Sequence, residues 1–286
     1  MEKLIQYGTK ASLFDGPFGN GAPWHAAGMG YVIVTEQKHL IVIDGGHPQD
    51  AEEILALLEA NANGVPVVDL WIITHHHGDH MGALQRICET PALLARVKIE
   101  KLVWRYPEEF LDTNGVAVNV QGNRTMYALA ALADAEVLHP ELDQKLTVDG
   151  MELHFLYYTY DCRIVNRTAN CNVCSLVFTV QGKQKKVMFT GDAYTRNLQV
   201  VVWLYRKQLK CDILQMPHHA LCDTGLLDFY KEVDAKTVLI PTCIAGDRAM
   251  HSDQYAGNAK RGWNLWAEEN ADTVYKTFEG TVEIEL

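Results

Sequence analysis

The stretch THHHGDH, Thr74 to His80, follows the apolar run Val67, Val68, Leu70, Trp71, Ile72 and Ile73. Side chains two apart in extended chain point the same way, so a buried strand ending in a tight loop delivers His75 and His77 to one side. There they can grip one metal ion. Asp79 and His80 arrive as the pattern turns helical (Met81, Leu84, Ile87, Cys88) and can hold a second ion nearby. Neutral imidazole and carboxylate suit zinc, iron or manganese. His76, between the two ligand positions, is expected to point away from them. An expression tag is excluded, since a tag lies at a terminus and does not follow a buried strand.

Three other apolar runs end in ligand-type residues. VMFTGDA, Val187 to Ala193, closes on Asp192 after Gly191, and the two oxygens of such a carboxylate can each take one cation. Cys211 to Met216 leads to Pro217, His218 and His219. One of these histidines is expected to complete the Asp79 and His80 site, His218 being slightly favoured. The other becomes a proton donor or a support for a ligand. Leu40 to Asp44 ends in Asp44, Gly45 and Gly46, and an acid at the end of a buried strand needs partners.

HxHxDH behind a hydrophobic strand resembles the signature of the metallo-β-lactamase superfamily of binuclear metal hydrolases. The resemblance implies an α/β fold, a four-layer αββα sandwich with two mixed sheets. It makes Asp192 the bridging ligand and Asp44 a residue that orients a ligand from behind. The implied metal ligands are His75, His77, Asp79, His80, Asp192 and His218, with Asp79, His219 and His251 as the catalytic candidates. The usual pattern has another histidine in the loop before the GD strand, completing the site of His75 and His77. This chain offers Asn170 and Asn172 there instead, weak neutral ligands, so that site is expected to bind less tightly or keep an extra water. The Asn-rich loop before SLV, then TGDA, PHHA and the closing VYKTFEG are similar to the metallo-β-lactamase-like domain of ComEC-type DNA-uptake competence proteins and its stand-alone relatives. Ala220 replaces the Gly of that group's HHG.

Two cations a few ångströms apart lower the pKa of a shared water toward neutrality and offset charge that builds on a substrate. The resulting hydroxide is the expected nucleophile, and no GxSxG elbow is present to supply a serine. The resemblance implies hydrolysis of a phosphoester, a phosphodiester first. His219 or His251 is the candidate to protonate the leaving group. Two alternatives stand beside this: hydrolysis of a lactam, lactone or thioester on the same metals, and a non-catalytic metal-binding module.

The elements that must position these residues follow a βα rhythm. The stretch to Ala27, with Phe14, Pro17, Gly21, Trp24 and His25, has no clear period and reads as a long loop in which Trp24 and His25 could overhang the site and touch substrate. Tyr31 to Thr35 and Leu40 to Asp44 read as a hairpin. Pro48 to Ala60, Gly122 to Ala135, Leu198 to Leu209, Leu226 to Val233 and Trp263 to Asn270 have helical spacing. Val97 to Trp104, Leu146 to Tyr158 with a turn at Asp149 and Gly150, the run from Ser175, and Thr237 to Pro241 read as strands. His251 falls in a loop, and Asp272 to Leu286 reads as strand, turn, strand. With no repeat or linker, the chain is expected to be one domain, residues 1–286, of two ββα-like halves meeting near 150–165, with the metal site between their sheet edges.

The 286 residues are 48% hydrophobic, ample for a core. No run approaches the roughly 18 apolar residues of a membrane span, and the N-terminus lacks a signal-peptide core. The seven scattered cysteines fit a reducing, cytoplasmic compartment better than a disulfide framework. Cys171 and Cys174 form a CxxC with no second pair, read as structural. A net charge of −11 counts against long nucleic acid held by phosphate contacts and favours a small molecule or a short phosphodiester. Lys183, Lys185 and Lys186 read as a solvated hairpin turn.

Overall fold

Runs of aliphatic and β-branched residues form the strands, and their pairing shows which parts of the chain share a sheet. β1 (Lys3–Gln6), β2 (Gly30–Val34), β3 (Leu40–Asp44), β4 (Val67–Ile72), β5 (Lys98–Ile99), β6 (Lys101–Val103) and β7 (Glu136–Leu138) lie in the first. β8 (Lys145–Val148), β9 (Met151–Tyr157), β10 (Val177–Gln181), β11 (Lys186–Phe189), β12 (Ile213–Gln215), β13 (Thr237–Ile240) and β14 (Thr273–Lys276) make the second, in consecutive order. The chain then returns to the first sheet, where β15 (Val282–Glu285) pairs with β1. Both sheets are mixed: β1, β2 and β3 are antiparallel neighbours and β3, β4, β6 and β7 parallel ones. In the second sheet β8 to β11 are antiparallel and β11 to β14 parallel. The computed structural model describes residues 1–16, 27–107, 119–159, 171–221 and 224–286. Trp24, His25 and Asn170 lie outside the described residues.

Helices cover the outer face of each sheet. α1 (Ala51–Asn61), α2 (Gly78–Glu89), α3 (Pro91–Leu94) and α4 (Asn119–Ala133) lie on the first. There Ile54, Leu58, Leu84, Ile87 and Met126 bury against Val42, Val68 and Trp71. α5 (Thr195–Tyr205), α6 (Leu227–Val233), α7 (Ile244–His251) and α8 (Ala259–Glu269) follow the later strands. Leu198, Val201, Phe229, Val233 and Ala267 cover Met188, Leu214 and Val238. Between the sheets Tyr31, Ile33, Ile41, Ile43 and Ile72 meet Phe155, Phe178, Phe189 and Ile213 in a third apolar layer. The stack is the expected αββα sandwich. No helix among the described residues is long and apolar enough to cross a membrane.

Several local expectations change. The N-terminal stretch is not loop throughout: Lys3–Gln6 is a strand that fills the slot between β2 and β15. Val97 to Trp104 splits into the short β5 and β6, which pair successive parts of β4. His251 ends α7 rather than lying in a loop. The closing strands do not share a sheet; Gly280, at φ 109°, lets the chain turn from β14 in one to β15 in the other. The sheets divide between Leu138 and Lys145, before the expected 150–165, because sheet membership follows long-range pairing.

Candidate metal centre

The ligand-type residues gather where parallel strands end. β3 finishes on Asp44 and β4, beside it and parallel, runs into Thr74 and His75. Across the inter-sheet layer, β11 runs into Asp192 and its parallel neighbour β12 into His218 and His219. Loops at the carboxyl ends of parallel strands leave the ladder together on one side, so residues far apart in sequence meet. Gly191 permits the turn that aims Asp192: its φ is +51°, and a Cβ there would stand 2.8 Å from Thr74 Cβ.

Asp192 is the hub. Its Oδ1 lies 3.3 Å from His80 Nε2, and its Oδ2 lies 3.6 Å from His75 Nε2, 3.7 Å from His219 Nε2 and 3.8 Å from His218 Nε2. Asp79 Oδ2 faces His219 Nε2 at 3.3 Å. His75 Nε2 meets His77 Nδ1 at 3.0 Å. In this cluster three sets of potential ligand atoms lie within 4.8 Å of one another: His75, His77 and Cys171; His75, His80 and Asp192; Asp79, His80 and His219.

In His80, His219 and His75 the inward nitrogen is aimed by a bond on the other side of the ring. His80 Nδ1 donates to Asp44 Oδ2 at 2.8 Å, and His219 Nδ1 donates to the carbonyl of Pro241 at 2.6 Å. His75 Nδ1 reaches Thr74 Oγ1 at 3.2 Å, and that hydroxyl donates to Asp44 Oδ2 at 2.9 Å. Asp44 therefore supports two histidines, His80 directly and His75 through Thr74. The Asp192 amide donates to Ser175 Oγ at 2.9 Å, and Gln215 Oε1 accepts from the amides of Thr190 and Gly191, both at 2.8 Å.

Of the two loop histidines, the geometry brings together with Asp79 and His80 the one that the sequence does not favour. His219, not His218, joins Asp79 and His80, while His218 Nε2 is held 3.0 Å from the Asn172 side-chain nitrogen. The reason is the backbone: His218, His219 and Ala220 all adopt the left-handed conformation, at φ 48°, 55° and 58°. This reverses the usual order in which successive side chains face a site. Asn264, which the sequence did not flag, holds that costly turn by donating to the carbonyls of Ala220 and Leu221 at 3.0 and 2.9 Å. Asn264→Leu is expected to cost about 2–3 kcal/mol in unfolding free energy, because buried carbonyls lose their donor. A denaturant titration beside a metal assay would show lost stability together with weakened binding at the His219 site.

Other candidates stand apart. His76 turns from the ligands, as expected, and packs against the Tyr106 ring at a centroid distance of 5.0 Å; burial, then the neighbouring His77, lowers its pKa to about 4. Asn172 directs its amide nitrogen at His218, and the Cys171 sulfur lies with the ligand atoms of His75 and His77. His251 does not enter the cluster. It is engaged by Asp247 and Glu268, at 3.5 and 3.4 Å, and shares with His219 only the rim of a hollow behind that ring.

Without metal, charge in the cluster is arranged around a proton. Burial disfavours an imidazolium at His80, but Asp192, Asp44 and Asp79 outweigh it and raise the pKa well above its ordinary value. Burial would raise the pKa values of Asp79 and Asp192, and the surrounding imidazoles, His80 first, more than reverse that. The carboxylates' contribution to metal-free stability is present above their unfolded pKa of about 3.9 and is lost as pH falls through their depressed folded values. That of His80 is present below about 6.5 and is lost as pH rises through its raised folded value. Burial holds His75 and His76 neutral, so they cost stability as pH falls below about 6.5, and in chelator the denaturation midpoint is expected to be highest near pH 6.5 and to fall on either side.

The residues fit metal ions. His80 Nε2, His219 Nε2 and Asp192 Oδ1 are buried, have no hydrogen-bond partner, and sit among donors of the types that bind zinc, iron or manganese. The model of the metallo-beta-lactamase superfamily matches residues 27–241, which includes every one of these residues. The chain belongs to that superfamily.

Solved members and relatives share its fold. The metallo-beta-lactamase fold protein YhfI from Bacillus subtilis is 12% identical, with 99% of this chain and 100% of that one covered and a TM-score of 0.58. Zn(2+)-bound PqqB from Methylobacterium extorquens is 8% identical, covers 100% of both chains and has a TM-score of 0.57. CmlA, a diiron beta-hydroxylase from Streptomyces venezuelae, is 12% identical, with 99% of this chain and 54% of that one covered and a TM-score of 0.55. No curated protein matches the chain in sequence. Within the superfamily fold, the His and Asp clusters of this chain are its candidate metal-binding groups.

Proposed function

We propose that this member of the superfamily is a binuclear metal-dependent hydrolase of phosphoesters, acting as a single cytoplasmic domain on a small or short phosphodiester. One observation carries the reading: His80 Nε2, His219 Nε2 and Asp192 Oδ1 converge, buried and without hydrogen bonds, at the hub between two ligand sets. His75 and His77 would hold one ion, Asp79, His80 and His219 the other, and Asp192 both. The bound ions would supply Lewis acidity and bring the pKa of a water toward neutrality. Around them the chain's own groups orient and exclude: Asp44 fixes two imidazoles and Ser175 holds the backbone amide of Asp192.

His218 is left for proton handling. It lies in neither ligand set, its Nε2 stands beside Asn172, and the Tyr194 ring packs against it at 5.5 Å. His218→Gln is expected to keep both ions but lower kcat by about 10²–10³-fold on diesters with poor leaving groups, and far less on activated aryl esters. A leaving-group series compared between the two proteins reads this directly.

The choice of a phosphodiester rests on the ComEC-type pattern: SLV at Ser175–Val177, TGD at Thr190–Asp192, the paired histidines, and YKTFEG at Tyr275–Gly280. The test is a panel of chromogenic diester, monoester, lactam, lactone and thioester substrates on protein loaded with zinc, manganese or iron. Diester turnover with none on the lactam is expected. Turnover confined to the carbonyl substrates would replace the substrate class, and none at full metal loading would leave a binding module.

A further inference from the structure

His75 and His77 supply two imidazoles to one ion, and a zinc site open to substrate ordinarily has three protein ligands. The third donor is the question that the sequence pattern leaves, since no histidine stands in the loop before β10. A short 3-10 turn, Cys171–Cys174, occupies that place. Its two cysteines have different surroundings. Cys174 is fully buried in the apolar layer under α2 and α4, beside Val173 and Met126. Cys171 is buried to 5% exposure yet belongs to none of the apolar clusters among the described residues. Its sulfur lies instead within 4.8 Å of ligand nitrogens of both His75 and His77.

A CxxC on one helical turn cannot direct both sulfurs to one ion here, because the core claims the second. What remains is a His, His, Cys set whose ligand atoms lie within 4.8 Å of one another just beyond β4. The neighbouring Asn172 turns its amide nitrogen to His218 Nε2, 3.0 Å away.

We propose that Cys171 is the third protein ligand of the ion held by His75 and His77, and that its thiolate makes this site selective for zinc over manganese. The inference rests on the reading of His75 and His77 as ligands. A thiol that coordinates a divalent ion does so deprotonated, its proton passing to solvent as the metal–sulfur bond forms. Soft thiolate favours zinc, whereas manganese prefers hard oxygen donors. The first site would then differ in chemistry from the second, which offers only imidazole and carboxylate.

The test is zinc X-ray absorption on the full chain loaded with zinc, with Cys171→Ser and Cys174→Ala alongside. A sulfur scatterer at about 2.3 Å, beside nitrogen and oxygen at about 2.0–2.1 Å, is expected in the parent protein and in Cys174→Ala. It should vanish in Cys171→Ser, whose zinc affinity at that site should fall at least about 100-fold, since even removing an outer partner of a ligand costs 10–100-fold. Manganese should then compete into the variant but not the parent. Cobalt-loaded protein gives an independent readout, a near-ultraviolet thiolate-to-cobalt absorption present in the parent and absent in Cys171→Ser. Two bound zinc ions with nitrogen and oxygen scatterers alone would overturn the role of Cys171 while leaving the binuclear site standing. Failure of the parent protein to bind zinc at all would overturn both. Because the decisive spectrum is that of the parent, a folding defect in Cys171→Ser cannot obscure it.

Discussion

Asp192→Asn is expected to leave at most one ion per chain where the parent holds two, and to lower kcat/KM by about 10³-fold or more, some 4 kcal/mol of transition-state stabilisation. The side chain is 1% exposed and touches imidazoles from both halves of the site, at 3.3 Å through one oxygen and 3.6 to 3.8 Å through the other. An amide keeps the shape but offers one oxygen and no charge, and its NH₂ would face a cation. Neither ion could then be shared, and the repulsion between two dications would fall on whichever site binds less tightly. Elemental analysis beside steady-state kinetics checks this. A variant that keeps both ions would remove Asp192 from the bridging role.

The second large effect is expected from a residue that touches no ion. Asp44 is fully buried, accepts from the Thr74 amide at 2.8 Å, and receives the Nδ1 proton of His80 at 2.8 Å. In Asp44→Asn the oxygen can still accept from Thr74, but the NH₂ would then donate to His80 Nδ1. That moves the imidazole proton to Nε2, the atom that faces Asp192, and removes the lone pair a metal needs. Metal affinity at the second site should fall about 10–100-fold with the fold retained. Asp44→Ala removes the acceptor altogether and leaves a buried Thr74 amide and an imidazole unpaired, so it should also cost about 3–5 kcal/mol of stability. Calorimetric metal titration of both variants with denaturant unfolding separates the two effects. Equal affinity in Asp44→Asn and the parent would mean that the tautomer of His80 is set elsewhere.

Much of this centre is written in local sequence. HxHxDH behind a buried strand, GD behind a second and HH behind a third each announce ligand-type side chains at a strand end, because two-residue alternation and loop geometry are local properties. The hydrophobic periods likewise mark most helices and strands, and the buried acid at Asp44 signals its need for partners. Less legible is what depends on meetings between distant segments. Lys3–Gln6 carries too short a pattern to be read as a strand, and becomes one because β2 and β15 offer edges on both sides. The closing strands look like neighbours but enter different sheets.

The same division runs through the site. The sequence by itself determined the superfamily pattern, the sandwich, the ligand types and the place of Asp192 at a strand end. Only the tertiary structure decided which of His218 and His219 faces Asp79, because three consecutive left-handed residues, held by Asn264 from a distant helix, set the direction of each ring. It likewise separated Cys171 from Cys174, sending one sulfur toward His75 and His77 and the other into the core. Residue type and spacing fix what a side chain can do, but its direction is fixed by the packing and hydrogen bonds of segments that local pattern does not contain.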